Sequence, residues 1–293
     1  MEHAISLGGP SRLPSAPRAE VPKGRAATSQ HPEMTTLASS AAPTHPLRSP
    51  ARTGARSASP AAVTLTTPAT QGKVFFTNPA TGGNYVCSGG TVNSPAGDMV
   101  FTAGHCINNG NATWMTNWIY VPAYYYGSTP YGVWVAKTMT TFTAWMLGGN
   151  LNYDVGVVNV TSSSNPFPLV SVTGANGLTY DAANSYAYTP NVTVWGYPAA
   201  APYNGEQAYY CYNLPTATLT SLATPVNVTQ LVTGCAMTAG ASGGPWLIDY
   251  NTSTGLGSED ALTSTTVPAL PGYIGSPYFG TDILTIYNQT ENL

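Results

Sequence analysis

Three short stretches of this chain carry the residue types that assisted nucleophilic chemistry needs: Thr102-Ala103-Gly104-His105-Cys106, Asn152-Tyr153-Asp154-Val155-Gly156-Val157-Val158 and Gly240-Ala241-Ser242-Gly243-Gly244-Pro245. A serine hydroxyl is a poor nucleophile at neutral pH. An imidazole must take its proton as it attacks a carbonyl, then return that proton to the leaving group. His105 is the candidate base, because His3, His31 and His45 all lie in the first 71 residues. A carboxylate must then fix the imidazole tautomer and stabilise the imidazolium. Asp154 stands where an apolar run begins. Taken singly, each motif also has a plain structural reading, since an aspartate before a strand and a Ser-Gly-Gly-Pro run are both common in turns.

The elements that must position these residues are short. From Lys73 onward, runs rich in Val, Thr, Tyr, Phe and Trp alternate with Gly, Pro, Asn and Ser clusters, the pattern of an all-β sandwich or barrel. Strands are expected at 74–77, 85–88, 99–102, 132–137, 155–160, 191–197, 227–232 and 246–250, with a linker over 162–190 and a short helix over 281–288 that has Asp282 near its start. The 6 Trp, 19 Tyr and 6 Phe all fall after residue 72, whereas residues 1–71 hold 10 of the 25 prolines and 7 of the 9 basic residues. Residues 1–71 lack the material for a core and are expected to be disordered. They read either as a pro-segment removed on maturation or as residues ahead of the true start. The folded unit is expected to be 72–293.

Composition also excludes partners. The folded part offers only Lys73 and Lys137 against nine acidic residues, so no basic groove for nucleic acid is expected. No run reaches the ~18 apolar residues of a membrane span. Cysteines stand at 87, 106, 211 and 235, with no CxxC pair and only His105 nearby. They suit two disulfides in an oxidising compartment better than a metal site. Residues 1–30 contain no basic start followed by an apolar run, so a conventional export signal is not legible there. Six N-x-S/T sequons begin at Asn111, Asn159, Asn191, Asn227, Asn251 and Asn288, and Asn159 is expected beside the core.

In the order His, Asp, Ser, the three motifs resemble the chymotrypsin/trypsin-like serine peptidases over about residues 72–290. The G-x-S-x-G reading of α/β-hydrolases fails, because those enzymes place their histidine after the serine and none follows Ser242. A subtilisin order, with Asp98 before His105, fails for want of alternating helices. Trp195-Gly196-Tyr197-Pro198, Tyr203-Asn204-Gly205, Cys235-Ala236-Met237-Thr238-Ala239-Gly240 and Ser276-Pro277-Tyr278-Phe279-Gly280 look like a secreted glutamyl-endopeptidase-like subgroup. The resemblance implies two antiparallel six-stranded β-barrels, about 72–165 and 185–290, with His105, Asp154 and Ser242 in the cleft between them. It implies an oxyanion hole made by the amides of Gly240 and Ser242. It further implies a Cys87–Cys106 disulfide, which leaves Cys211 to pair with Cys235. The activity implied is endoproteolysis through an acyl-enzyme, without metal or cofactor, on protein or peptide substrates, by a secreted monomer.

Two departures from the family matter. Ala241 stands where trypsin carries the aspartate that binds the new amino terminus, and no Arg-Ile/Val-Gly-Gly site appears. Maturation is therefore expected to work by removing a covering segment. Ala236, six residues before Ser242, falls where trypsin has its pocket aspartate, and no histidine follows Ser242 to serve a glutamate pocket. A neutral or apolar preference follows. Residues 255–268 depart from the usual pocket wall, and Ser258 is expected to supply backbone beside the triad. The competing function is a catalytically silent homologue that binds proteins through the same scaffold.

Overall fold

β-branched and aromatic residues suit a pleated surface with one buried face, and the runs that carry them pair into two sheets. The computed structural model describes residues 4–5, 33–36, 67–220, 229–267 and 270–293. Most of the segment expected to be disordered, 1–71, lies outside the described residues. Two short strands of it are described, β1 (Ala4–Ile5) and β2 (Glu33–Thr36).

The first sheet is built from β3 (Gln71–Asn78), β4 (Gly83–Val92), β5 (Met99–Thr102), β6 (Thr116–Pro122), β7 (Trp134–Thr141) and β8 (Gly156–Thr161). They run in the order β4-β3-β6-β7-β8-β5, and β5 pairs back onto β4, which closes a six-stranded barrel. Val74, Val100, Trp118, Tyr120 and Val158 fill its interior, while Phe101 faces outward onto Phe279. Ahead of the closure, β1 pairs in parallel with Asn84 and Tyr85 of β4, so the sheet carries a seventh strand. A short helix, α1 (Thr143–Gly148), leads from β7 towards β8.

The second sheet contains β9 (Gly177–Tyr180), β10 (Asn191–Gly196), β11 (Tyr209–Thr220), β12 (Thr229–Thr233), β13 (Pro245–Asn251), β14 (Leu256–Leu262), β15 (Thr265–Thr266) and β16 (Ile274–Pro277). Its order is β15-β16-β12-β11-β10-β13-β14-β9-β2. The two ends of the six-stranded part are one chain, since β14 becomes β15 after a bend at Thr263 and Ser264. At that bend the Thr263 amide donates to Gly244 O (2.9 Å) and the Ser264 amide to Gly275 O (2.8 Å), so a single strand leaves β13 and joins β16. Leu262 N–H donates to Ser276 Oγ (2.9 Å) across the same seam. The second barrel thus curls shut through a bent strand, where the first has a continuous ladder.

Each of the eight expected strands overlaps a described one; Gly132, Val133, Val155 and Tyr197 fall just outside theirs, and 227–228 lie outside the described residues. Five longer strands were not expected: β6, β9, β11, β14 and β16. β11 alternates half-exposed and exposed residues, and β14 carries Ser258-Glu259-Asp260, which local propensity reads as loop. The expected linker 162–190 contains α2 (Leu169–Thr173) and β9. The expected C-terminal helix is α3 (Thr281–Thr290), with Asp282 in its first turn, where the helix dipole favours negative charge. It buries Ile283, Ile286 and Tyr287. The side-chain amide of Asn159, itself wholly buried, donates to Thr290 O (3.0 Å) and Asp98 Oδ1 (2.9 Å). That sequon is consumed by packing.

Candidate active site

His105 sits in a 3-10 turn, Gly104–Cys106, directly after β5. A disulfide joins Cys106 to Cys87 on β4, and so pins the turn to the barrel. Gly104 has no room for a side chain: a Cβ there would lie 2.8 Å from Trp145 Cδ1 and 2.9 Å from Asp154 Oδ1. Asp154 follows a second 3-10 turn, Leu151–Tyr153, at the entry to β8, and is fully buried. A buried carboxylate is costly unless its oxygens are hydrogen-bonded. Here Oδ1 accepts the His105 amide (2.7 Å), while Oδ2 faces His105 Nδ1 (2.8 Å) and accepts the Ser264 hydroxyl (2.7 Å). An ionised carboxylate only accepts, so Nδ1 carries the ring proton and Nε2 keeps a lone pair. The Trp145 ring stands 6.3 Å from the imidazole and limits its movement.

Ser242 lies in the loop between β12 and β13, and the glycines around it are required. Gly240 has φ +100° and Gly243 φ +79°, conformations that favour glycine. A Cβ on Gly240 would lie 2.6 Å from Tyr197 O, and one on Gly243 would collide with Thr102 Oγ1 and Ser88 O. The loop carbonyls are used: Ser242 O accepts the Ser88 amide (2.7 Å), and Ala241 O accepts the Gly244 amide (2.9 Å). Among the described residues, no acceptor pairs with the amides of Gly240 or Ser242. Ala241 is buried in the second core, where its Cβ lies 2.9 Å from the place a Gly196 Cβ would occupy. An aspartate would not fit there.

His105, Asp154 and Ser242 line one cavity of about 160 Å³ with Met237, Thr263 and Ile274. Among the described residues, His105 and Asp154 are the only titratable groups on its wall. The two pocket expectations fall elsewhere. Ala236 is exposed, with its carbonyl accepting the Tyr203 hydroxyl (3.4 Å), and the next residue, Met237, lines the cavity instead. Ser258 lies in β14 between Ile248 and Gly177, and the residue beside Asp154 is Ser264. Ser264 reaches Asp154 because the chain bends at Thr263 and Ser264 and leaves β13 for β16, six residues past Ser258. Nothing in the hydroxyl-rich run around Ser264 distinguishes it from its neighbours by type.

A second disulfide joins Cys211 on β11 to Cys235. Cys87, His105 and Cys106 approach one another closely enough to suggest a metal cluster, but the disulfide removes both thiolates. Lys73 is buried, with Nζ 3.3 Å from Glu206 Oε1 and 4.4 Å from the Tyr124 ring centroid. Burial lowers the pKa of its ammonium against the opposing pull of Glu206. Lys137 is then the one substantially exposed lysine among the described residues, 3.9 Å from Asp98.

A buried carboxylate holding an imidazole, and a serine on a glycine-rich loop opening on the same cavity between two β-barrels, define a serine-type hydrolase architecture. The trypsin-like peptidase domain family matches residues 83–256. The protease Anisep from Arthrobacter nicotinovorans is 35% identical over 78% of this chain and 98% of its own, with a TM-score of 0.68. The thermostable serine protease AL20, from an extremophilic microorganism, is 29% identical over 76% of this chain and 97% of its own, with a TM-score of 0.66. A Glu endopeptidase shares the fold at 12% identity, over 80% of this chain and 95% of its own, with a TM-score of 0.57. No curated protein matches the chain. The chain belongs to the trypsin-like peptidase family and is a serine-type peptidase.

Proposed function

We propose that this chain is a secreted endopeptidase in which His105, Asp154 and Ser242 form the catalytic triad. Ser242 Oγ bonds to the scissile carbonyl carbon as its proton passes to His105 Nε2. That proton then goes to the leaving amine nitrogen as the C–N bond breaks, and water hydrolyses the acyl-enzyme by the same relay. The amides of Gly240 and Ser242 meet the oxyanion, where one such donor is commonly worth ~10²–10³ in rate. The observation that carries this is the Asp154 carboxylate, which is wholly buried and bonded to both the backbone and the ring of His105 on a cavity shared with Ser242.

The residue preference follows from the wall. Met237 and Ile274 supply apolar surface, Thr263 and Thr265 supply hydroxyls, and among the described residues no lysine, arginine or glutamate lines the cavity. A neutral or apolar side chain at the cleaved bond fits best. The 12% identical Glu endopeptidase shares the fold alone and lends no support to glutamate. Two disulfides with no free cysteine among the described residues favour an oxidising compartment. No helix among the described residues is long and apolar enough to cross a membrane.

The test is to incubate the full chain with casein and a fluorophosphonate probe. Cleavage and labelling at Ser242 are expected, both abolished by Ser242→Ala, and the fragments will report the preference. A folded wild-type chain that neither cleaves nor takes the label would instead be a silent, protein-binding homologue.

A further inference from the structure

In this chain the buried Ala241 contributes no charge to hold the loop that carries the two oxyanion amides. That loop is gripped from the other side. Ser88, on β4 and 1% exposed, donates its hydroxyl to Gly240 O (2.9 Å) and accepts the Tyr197 amide on the same oxygen (2.8 Å). Its own amide donates to Ser242 O (2.7 Å), and its carbonyl accepts the Thr102 hydroxyl (2.8 Å). Every polar group of the residue is therefore occupied, and the hydroxyl orientation is fixed by a donor and an acceptor at once.

Given the peptidase mechanism above, we propose that the Ser88 hydroxyl is a positioning residue for the oxyanion hole. It ties the Gly240 carbonyl to the first barrel and the Tyr197 amide of the second, so that the Gly240 and Ser242 amides stay aimed at the developing charge without an activation-dependent ion pair. Both loop carbonyls held by Ser88 flank Ala241. The peptides that carry the two amides are held through Ala239 O, which accepts the Ala199 amide (2.7 Å), and Ala241 O, which accepts the Gly244 amide (2.9 Å); Ser88 fixes the carbonyl on the other side of Gly240 and of Ser242, so each residue is clamped on both flanks. The hole is thus built by folding itself. Preorganised donors of this kind act in the transition state more than in the ground state, which separates this role from ordinary packing.

The experiment compares Ser88→Ala with wild type as full chains, with rates normalised to titrated active sites. Small displacements of catalytic donors cost up to ~10²-fold, so kcat is expected to fall roughly 10- to 100-fold with KM within about twofold. The inhibition constant of a peptide boronic acid, which forms a tetrahedral adduct on Ser242, should rise by the same factor, while that of a non-reactive product peptide stays put. Thr173→Val serves as the control. It removes another buried hydroxyl, bonded to Leu169 O at 3.0 Å, and should lower the melting temperature while leaving kcat unchanged. Wild-type kcat and boronate affinity in Ser88→Ala overturn the proposal, as does an equal loss of kcat in Thr173→Val. Activity that survives Ser242→Ala would instead strike at the triad itself, whatever Ser88 does.

Discussion

Replacing Asp260 with asparagine should flatten the pH dependence of stability. Asp260 is 4% exposed on β14, next to Glu259, which is fully buried and has no hydrogen-bond partner among the described residues for either carboxylate oxygen. Burial, and then the negative charge of Asp181, push the Asp260 carboxyl up from 3.8 to about 7. Burial alone would raise Asp181 too, but donors from Ser185, Tyr278 and Ala183 outweigh it and hold Asp181 below its usual value. A group raised on folding contributes stability that is fully present below its unfolded value and lost as pH climbs through its folded value. For Asp260 that window runs from about 3.8 to about 7. At about 1.4 kcal/mol per unit, the loss across it is on the order of 4 kcal/mol. Burial raises Glu259 as well, so it acts with the same sign. Urea denaturation between pH 4 and pH 8, in a Ser242→Ala background that prevents self-digestion, should show wild-type stability declining with pH. Asp260→Asn should decline less, and the gap between the two should widen as pH rises. Parallel curves would refute the reasoning, since they would mean that Asp260 titrates alike in the folded and unfolded chain.

Two further substitutions probe the site. Gly240→Ala places a Cβ 2.6 Å from Tyr197 O at φ +100° and should lower kcat/KM by ~10²–10³; activity within threefold of wild type would show that the loop does not need this conformation. Ser264→Ala leaves Asp154 Oδ2 with His105 as its one remaining partner among the described residues. Hydrogen bonds to charged groups contribute about 1.5–3 kcal/mol, and steady-state kinetics should show kcat down by roughly tenfold with KM nearly constant. An unchanged kcat would remove Ser264 from the support of the triad.

The triad motifs could be read from the sequence because their chemistry is carried by side-chain type and by the glycines that adjoin them. His105 had no competing histidine in the folded part, and Gly240 and Gly243 mark the backbone that Ser242 needs. The first barrel was legible for a related reason, since Val74, Phe101 and Val157 sit in runs that alternate or are wholly apolar. The pocket wall was not. Ser258-Glu259-Asp260 reads as a solvated turn, yet it is a buried strand, and the residue beside Asp154 is Ser264, at the bend where the strand leaves β13 for β16. That bend is set by pairing with β16, to which local propensity is blind. Ala236 misses the cavity because Cys235 and Met237 on either side of it are both buried, with Met237 on the cavity wall, while Ala236 itself points to solvent.

The bend at Thr263 and Ser264 ties the assembly of the site to the order in which the chain becomes whole. The same two residues that let one strand serve both edges of the C-terminal barrel deliver a hydroxyl to a carboxylate belonging to the N-terminal one. A half-folded molecule would hold the imidazole and its carboxylate without the nucleophile, or the nucleophile without its base. On the proposed mechanism, a newly made copy would thus be unable to cut anything until it had itself finished folding.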